Sequence, residues 1–192
     1  MRRLIALVLG PVLLALVAPL APAAAATWRG TDPAHDVWRL TLSGDGDDYT
    51  AAPTRANADL RSVVVRHSRS RVVLRLRFDD IFVPPERGGM FSVFGDIRTD
   101  DLGASFDMVA GRAHRQGRVT VWQRGGRCEG SSAIDYQRDV ATITVPTDCL
   151  GDPRWVRLSF KTWSRDDAYV WEDNALQAGF LRRAWTPKVR VG

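Results

Sequence analysis

The sequence predicts an all-β fold: an antiparallel β-sandwich of jelly-roll type with about nine strands, one disulfide and a signal peptide before it. Three observations support this prediction. Apolar and polar side chains alternate with a period of two, clusters of turn-forming residues separate the alternating runs, and no run has the pattern of a capped amphipathic helix. Many short strands at near-regular spacing favour a sandwich, with a barrel as the alternative.

The alternation is clearest in residues 71–78, where Val72, Leu74, Leu76 and Phe78 point to one side and arginines to the other. A strand with this pattern buries one face and leaves the other in water. Similar or β-rich runs complete the set of nine predicted strands, at 37–42, 60–67, 71–78, 91–98, 105–110, 117–123, 139–146, 155–163 and 168–171. Turns rich in Gly, Asp, Ser and Pro separate them, at 43–48, 67–70, 84–89, 123–126 and 148–153.

The N-terminus has the layout of a secretory signal peptide. Arg2 and Arg3 precede an apolar run, and small residues lead to a predicted cut after Ala26. An uncleaved anchor is the alternative, because the apolar run is long enough to span a bilayer. We therefore expect residues 1–26 to be removed, the mature protein to be secreted, and no membrane span to remain after cleavage.

The mature chain has the size of one domain. We expect a β-sandwich over residues 27–180, followed at 181–192 by either a basic C-terminal tail or a last edge strand. The whole chain has 27 lysine and arginine residues against 22 aspartate and glutamate residues, and cleavage would remove two of the arginines. This mild positive charge predicts no nucleic-acid partner.

Cys128 and Cys149 are the only cysteines. In an exported protein a single pair of cysteines predicts one disulfide, because the compartment is oxidising. It would close a loop of about 20 residues and contribute about 3 kcal/mol by restricting the unfolded chain.

Several short motifs resemble a known group of secreted sandwiches. Asp32 and Asp36 lie in a D-x-x-x-D-V pattern, Ala58-Asp59-Leu60 opens the next strand, and a later strand ends at Asp79. This layout is similar to that of family 9 carbohydrate-binding modules and DOMON-like domains. The resemblance implies a β-sandwich over most of residues 30–175, sugar binding as in many members, and in some members a structural Ca²⁺.

Acidic residues near the start of the mature chain are candidate ligands for Ca²⁺, which takes six to eight oxygens and needs several converging carboxylates. An ordinary Asp/Gly turn is the alternative for the middle of this stretch. Ca²⁺ is the only cofactor that we predict. Its candidate ligands are Asp32, Asp36, Asp45, Asp47 and Asp48.

The seven tryptophans are a second candidate site, because sugar rings stack on exposed aromatic faces. Packing in the core or at the rim is the alternative for each of them. Trp163 shares its strand parity with Arg157 and Lys161, which predicts an outward-facing ring. The candidate aromatic platform consists of Trp163, Trp122 and Trp155.

No sequence signature of a hydrolase elbow, a zinc protease helix or a phosphate loop is present. We therefore expect a non-catalytic secreted binding module, whose ligand is a polysaccharide or another cell-envelope component. The alternative function is a protein-interaction or inhibitor domain that acts on a secreted partner through its exposed loops. An enzyme is the third possibility.

Overall fold

The structure, a computed structural model, describes residues 25–41, 48–55, 57–82, 89–165, 169–179 and 184–192. The predicted signal sequence up to residue 24, together with Asp45 and Asp47, lies outside the described residues. The described residues form fourteen strands and one short 3₁₀ helix, Asp148–Leu150. The strands are β1 (Ala26–Thr31), β2 (Trp38–Thr41), β3 (Asp48–Ala51), β4 (Leu60–His67), β5 (Arg71–Phe78), β6 (Met90–Arg98), β7 (Gly103–Gly111), β8 (His114–Gln123), β9 (Gly126–Glu129), β10 (Ser131–Asp135), β11 (Val140–Pro146), β12 (Trp155–Arg165), β13 (Tyr169–Asn174) and β14 (Val189–Arg190).

The strands form two antiparallel sheets, which confirms the predicted sandwich. The small sheet has the order β1-β4-β5-β11-β10. The large sheet has the order β3-β2-β13-β12-β6-β7-β8-β9, and β14 pairs with β12 beside this path. All nine strands predicted from the sequence are present, and β1, β3, β9, β10 and β14 are additional. The sequence predicted either a basic tail or a last edge strand at 181–192. In the structure this segment contributes the short strand β14.

One apolar core lies between the two sheets, because the alternation directs apolar side chains of both inward. In β5, Val72, Leu74 and Leu76 are fully buried, and the intervening arginines at 71, 75 and 77 are exposed. In β12 the alternate residues Val156 and Leu158 face the same core. The side chains between them on the large sheet therefore point away from the core, onto a surface that we call the outer face.

The predicted disulfide between Cys128 and Cys149 is confirmed. It joins β9, at the edge of the large sheet, to the 3₁₀ helix that follows β11 of the small sheet. The two Cα atoms are 6.0 Å apart. The bond therefore links the two layers at one end of the sandwich. Among the described residues, no helix has both the length and the apolar character needed to span a membrane.

Candidate metal centre and outer face of the large sheet

Asp32, Asp36 and Asp173 lie together at one end of the sandwich. Asp32 follows β1, Asp36 precedes β2, and Asp173 lies within β13. One carboxylate oxygen from each of them lies within 4.8 Å of the others. Two oxygens bound to one Ca²⁺ are at most about 5 Å apart, since each Ca²⁺–oxygen distance is about 2.3–2.6 Å. The three carboxylates are therefore close enough together to share one cation.

Asp59 is the fourth member of what we call the acidic cluster: Asp32, Asp36, Asp59 and Asp173. Its side chain is fully buried. Burial is the main cause that raises the pKa values of the other three, and the negative charge of Asp59 adds to it. Its Oδ2 accepts the backbone N–H of His35 at 3.1 Å and lies 3.7 Å from Nη2 of Arg61. Among the described residues, Asp59 forms ion pairs with His35 and Arg61. Within the same described part of the chain, Asp32, Asp36 and Asp173 form none.

Backbone donors hold two of the carboxylates in place. Asp173 accepts the N–H of Leu60 through Oδ2 at 2.8 Å, and Asp32 accepts the N–H of Leu176 through Oδ1. The remaining oxygens of these two groups, Oδ1 of Asp173 and Oδ2 of Asp32, are buried without a hydrogen-bond partner, and so are both oxygens of Asp36. A buried carboxylate without donors is costly, so these oxygens need either protons or a cation.

The raised pKa values of these aspartates also indicate that their carboxylates need protons or a cation. Burial, with the charge of Asp173 as the next cause, raises the pKa of Asp32 to about 9. Burial also raises the pKa of Asp173 to about 8 and that of Asp36 to about 6. Without a cation, part of the cluster is therefore protonated at neutral pH.

Unusual backbone conformations surround the acidic cluster. His35, Ala58 and Leu176 have φ values of 63°, 81° and 71°, in the left-handed region that non-glycine residues seldom adopt. His35 precedes Asp36, Ala58 precedes Asp59, and Leu176 donates to Asp32. Strained backbone conformations therefore occur at the positions that bring the carboxylates together. Such conformations are common at functional sites.

The sequence predicted only half of this cluster. Asp32 and Asp36 are predicted ligands, and the structure brings them together with Asp173 and Asp59, which are not among the predicted ligands. Asp48, at the start of β3, is exposed and is not part of the cluster. A local signal for Asp173 is weak, because this residue lies two positions beyond the predicted run 168–171, whereas the strand itself continues to Asn174.

The outer face carries the second candidate site. The strand register places side chains of β12, β6, β7 and β8 in rows across the sheet. One row contains Ser159, Asp96, Ser105 and Trp122, and the next contains Lys161, Phe94, Asp107 and Thr120.

A depression of about 240 Å³, which we call the central depression, lies over these rows. Its lining combines aromatic, acidic and small residues: Phe94, Gly95, Asp96, Ser105, Phe106, Asp107, Trp122, Ser159, Phe160 and Lys161. A second depression of about 460 Å³ shares Asp96, Ser105 and Trp122 with it. The two depressions therefore adjoin each other on the outer face, around Trp122. Gly95 is required here, because an added Cβ would lie 2.2 Å from the backbone oxygen of Ser159.

The three tryptophans of the predicted platform differ in exposure. Trp122 is 43% exposed and is the most accessible of the seven. Trp163 faces outward as its parity predicted, but it is partly buried: its Nε1 donates to Oε2 of Glu172 at 2.6 Å, and its ring packs edge-to-face on Phe94. Trp155 is partly covered by Lys188, whose Nζ lies 4.2 Å from the ring centre. Trp122 is therefore the ring that is available for stacking.

The acidic residues of the outer face were not selected from the sequence. Asp96 and Asp107 alternate with core residues in β6 and β7 and therefore point outward. One oxygen of Asp107, Oδ1, is buried without a hydrogen-bond partner. Burial raises the pKa of Asp107, an effect that hydrogen bonds from Thr120 oppose.

Comparisons of the chain with protein-family profiles, with curated proteins and with solved structures found no match.

Proposed function

We propose that this protein is a secreted, non-catalytic binding module, and that its ligand is a carbohydrate or another component of the cell envelope. The observation that carries the proposal is the exposed ring of Trp122 beside the central depression. An aromatic ring offers both apolar area and a π face to the C–H groups of a sugar. Carboxylates and hydroxyls in the same depression offer hydrogen-bond partners for sugar hydroxyls.

We further propose that the acidic cluster holds a structural Ca²⁺. Three carboxylates, those of Asp32, Asp36 and Asp173, converge there, and several oxygens of the cluster are buried without a partner. A cation would meet the need of those oxygens and connect the segment between β1 and β2 with β13. Because the acidic cluster is formed from separate parts of the chain, Ca²⁺ would stabilise the folded state and have no equivalent site in the unfolded state.

The binding proposal is tested with the mature protein, residues 27–192, on a panel of soluble and insoluble polysaccharides and on isolated cell-wall material. We expect retention on at least one of these. Retention on none of them, together with capture of one defined secreted protein, would contradict the proposal and favour the interaction or inhibitor alternative.

Export is tested separately by expressing the full chain in a bacterial host and measuring the N-terminus of the product by mass spectrometry. We expect the product outside the cytoplasm with Thr27 as its first residue. A product that keeps residues 1–26 and sediments with membranes would contradict cleavage and support the anchor alternative.

A further inference from the structure

The central depression brings Trp122 and Asp107 together as neighbours on paired strands. Thr120 of β8 lies directly opposite Asp107 of β7, and Trp122 lies two residues further along the same face of β8. Diagonal neighbours of this kind are about 7–8 Å apart in an antiparallel sheet, within reach of a large aromatic side chain. A ligand that lies on the ring of Trp122 is therefore next to the carboxylate of Asp107.

The carboxylate of Asp107 is half-buried and lines the central depression. Its Oδ1 is buried without a partner, whereas hydrogen bonds from Thr120 reach the carboxylate. A hydroxyl or ammonium group of a ligand in the depression can donate to the part of this carboxylate that remains accessible. An anionic group would be repelled, because Asp96 also lines the depression. The cation in the lining of the central depression, Lys161, is paired with Glu172, and Arg127, which lies opposite Trp122 on β9, is outside this lining.

The exposure of the aromatic residues restricts the form of the ligand. A flat crystalline polysaccharide needs several exposed rings in one plane. Among the seven tryptophans only Trp122 is more than about a third exposed, and the exposed ring of Phe82 is not part of the central depression. A single ring beside a depression fits one sugar unit of a separate chain, whose ring stacks on the indole while its hydroxyls point into the depression.

We propose that the central depression binds one neutral pyranose unit of a soluble glycan chain, which stacks on Trp122 and donates a hydroxyl hydrogen bond to the carboxylate of Asp107. This inference rests on the proposed function and adds the ligand class and the residue that selects it. Asp107 acts here as a specificity residue: it favours ligands that donate and disfavours ligands that carry carboxylate or sulfate.

Affinity electrophoresis of the mature protein tests this inference, with gels that contain soluble β-glucan, xylan or galactomannan as neutral probes and polygalacturonate or alginate as anionic probes. Microcrystalline cellulose serves as the crystalline probe in a sedimentation assay. We expect retardation by at least one neutral soluble probe, with no retardation by the anionic probes and no co-sedimentation with cellulose.

Two variants locate the site. Trp122→Ala is expected to weaken binding of that neutral probe by about tenfold or more, since it removes the stacking surface. Asp107→Asn is expected to weaken it by a similar factor. An amide oxygen is a weaker acceptor than a carboxylate oxygen, and the NH₂ group of the amide accepts no hydrogen bond. The substitution also removes a half-buried charge, so the melting temperature should not fall, which separates loss of binding from loss of folding.

Phe82→Ala and Asp101→Asn are the matched controls, because both side chains are exposed and neither lines the central depression. They should bind like the unchanged protein. If a neutral glycan binds and neither Trp122→Ala nor Asp107→Asn weakens it, the inference is wrong and the proposed function stands. If the protein binds only anionic or crystalline probes, the inference is likewise wrong and the proposed function stands. If no probe and no cell-wall material binds, the carbohydrate function and this inference are both wrong.

Discussion

The backbone N–H of Leu60 donates to Oδ2 of Asp173 over 2.8 Å, and this bond joins residues 113 positions apart in the sequence. Leu60 opens β4 of the small sheet, and Asp173 lies in β13 of the large sheet. One carboxylate of the acidic cluster therefore also connects the two layers. Its charge state affects both the proposed Ca²⁺ site and the packing of the sandwich.

Ca²⁺ is expected to raise the melting temperature of the mature protein, and EDTA is expected to lower it. A ligand at 100 times its Kd stabilises the folded state by about 2.7 kcal/mol, which is about 5–10 °C for a domain of this size. Asp173→Asn should abolish this response, because it removes a carboxylate of the cluster. Asp101→Asn, on an exposed turn, is the control and should keep it. Equal shifts for the two variants in a calorimetric melt would contradict the Ca²⁺ proposal.

In EDTA, the stability of the protein is expected to fall as the pH rises from about 5 to about 9. The folded-state pKa values of Asp36, Asp173 and Asp32, about 6, 8 and 9, all lie above the ordinary value of 3.8. The folded state therefore binds more protons than the unfolded state in this window, and losing them costs stability. Below about pH 4 the groups are protonated in both states and the effect disappears.

The measurement is a series of thermal melts across this pH range, with and without Ca²⁺. Ca²⁺ should flatten or reverse the slope, because it binds the deprotonated carboxylates. Asp32→Asn should reduce the slope in EDTA. A melting temperature in EDTA that rises steadily from pH 5 to 9 would mean that the carboxylates are not held in the buried, unpaired state described above.

The strands were predictable from the sequence because their signal is local. Runs such as 71–78 carry several alternating apolar residues, and burial of one face follows directly. Three of the five missed strands lack this signal. β3 and β9 each have four residues and β14 has two, with few apolar side chains, and they form because a neighbouring strand offers its edge. Their existence depends on pairing that no short window of sequence contains.

The acidic cluster was only partly predictable for a related reason. Asp32 and Asp36 are four residues apart and belong to one motif, whereas Asp173 reaches them through the pairing of β13 with its neighbours. The bond between Leu176 and Asp32 spans 144 residues. Trp163 shows the same limit: its parity predicted the correct face, but its exposure depends on Glu172 and Phe94 from the two adjacent strands.

Loss of the disulfide is expected to cost about 3 kcal/mol of unfolding free energy, from the loop of about 20 residues that it closes. The double variant Cys128→Ser with Cys149→Ser should show this loss in urea denaturation. Dithiothreitol should lower the stability of the unchanged protein to the same level and leave the double variant unaffected. A double variant as stable as the oxidised protein would show that the link between β9 and the 3₁₀ helix contributes nothing.

Glu172 is expected to be a stabilising residue of the outer face. It is buried, accepts the indole N–H of Trp163 at 2.6 Å and pairs with Lys161. Glu172→Ala removes the acceptor from both donors and should cost about 3 kcal/mol, whereas Glu172→Gln keeps an acceptor for Trp163 and should cost less. Glu129→Ala breaks the exposed pair with Arg118 and is the matched control, with an expected cost of less than about 1 kcal/mol. Urea denaturation followed by tryptophan fluorescence measures all three, and similar losses for Glu172→Ala and Glu129→Ala would show that burial adds nothing to the Glu172 pair.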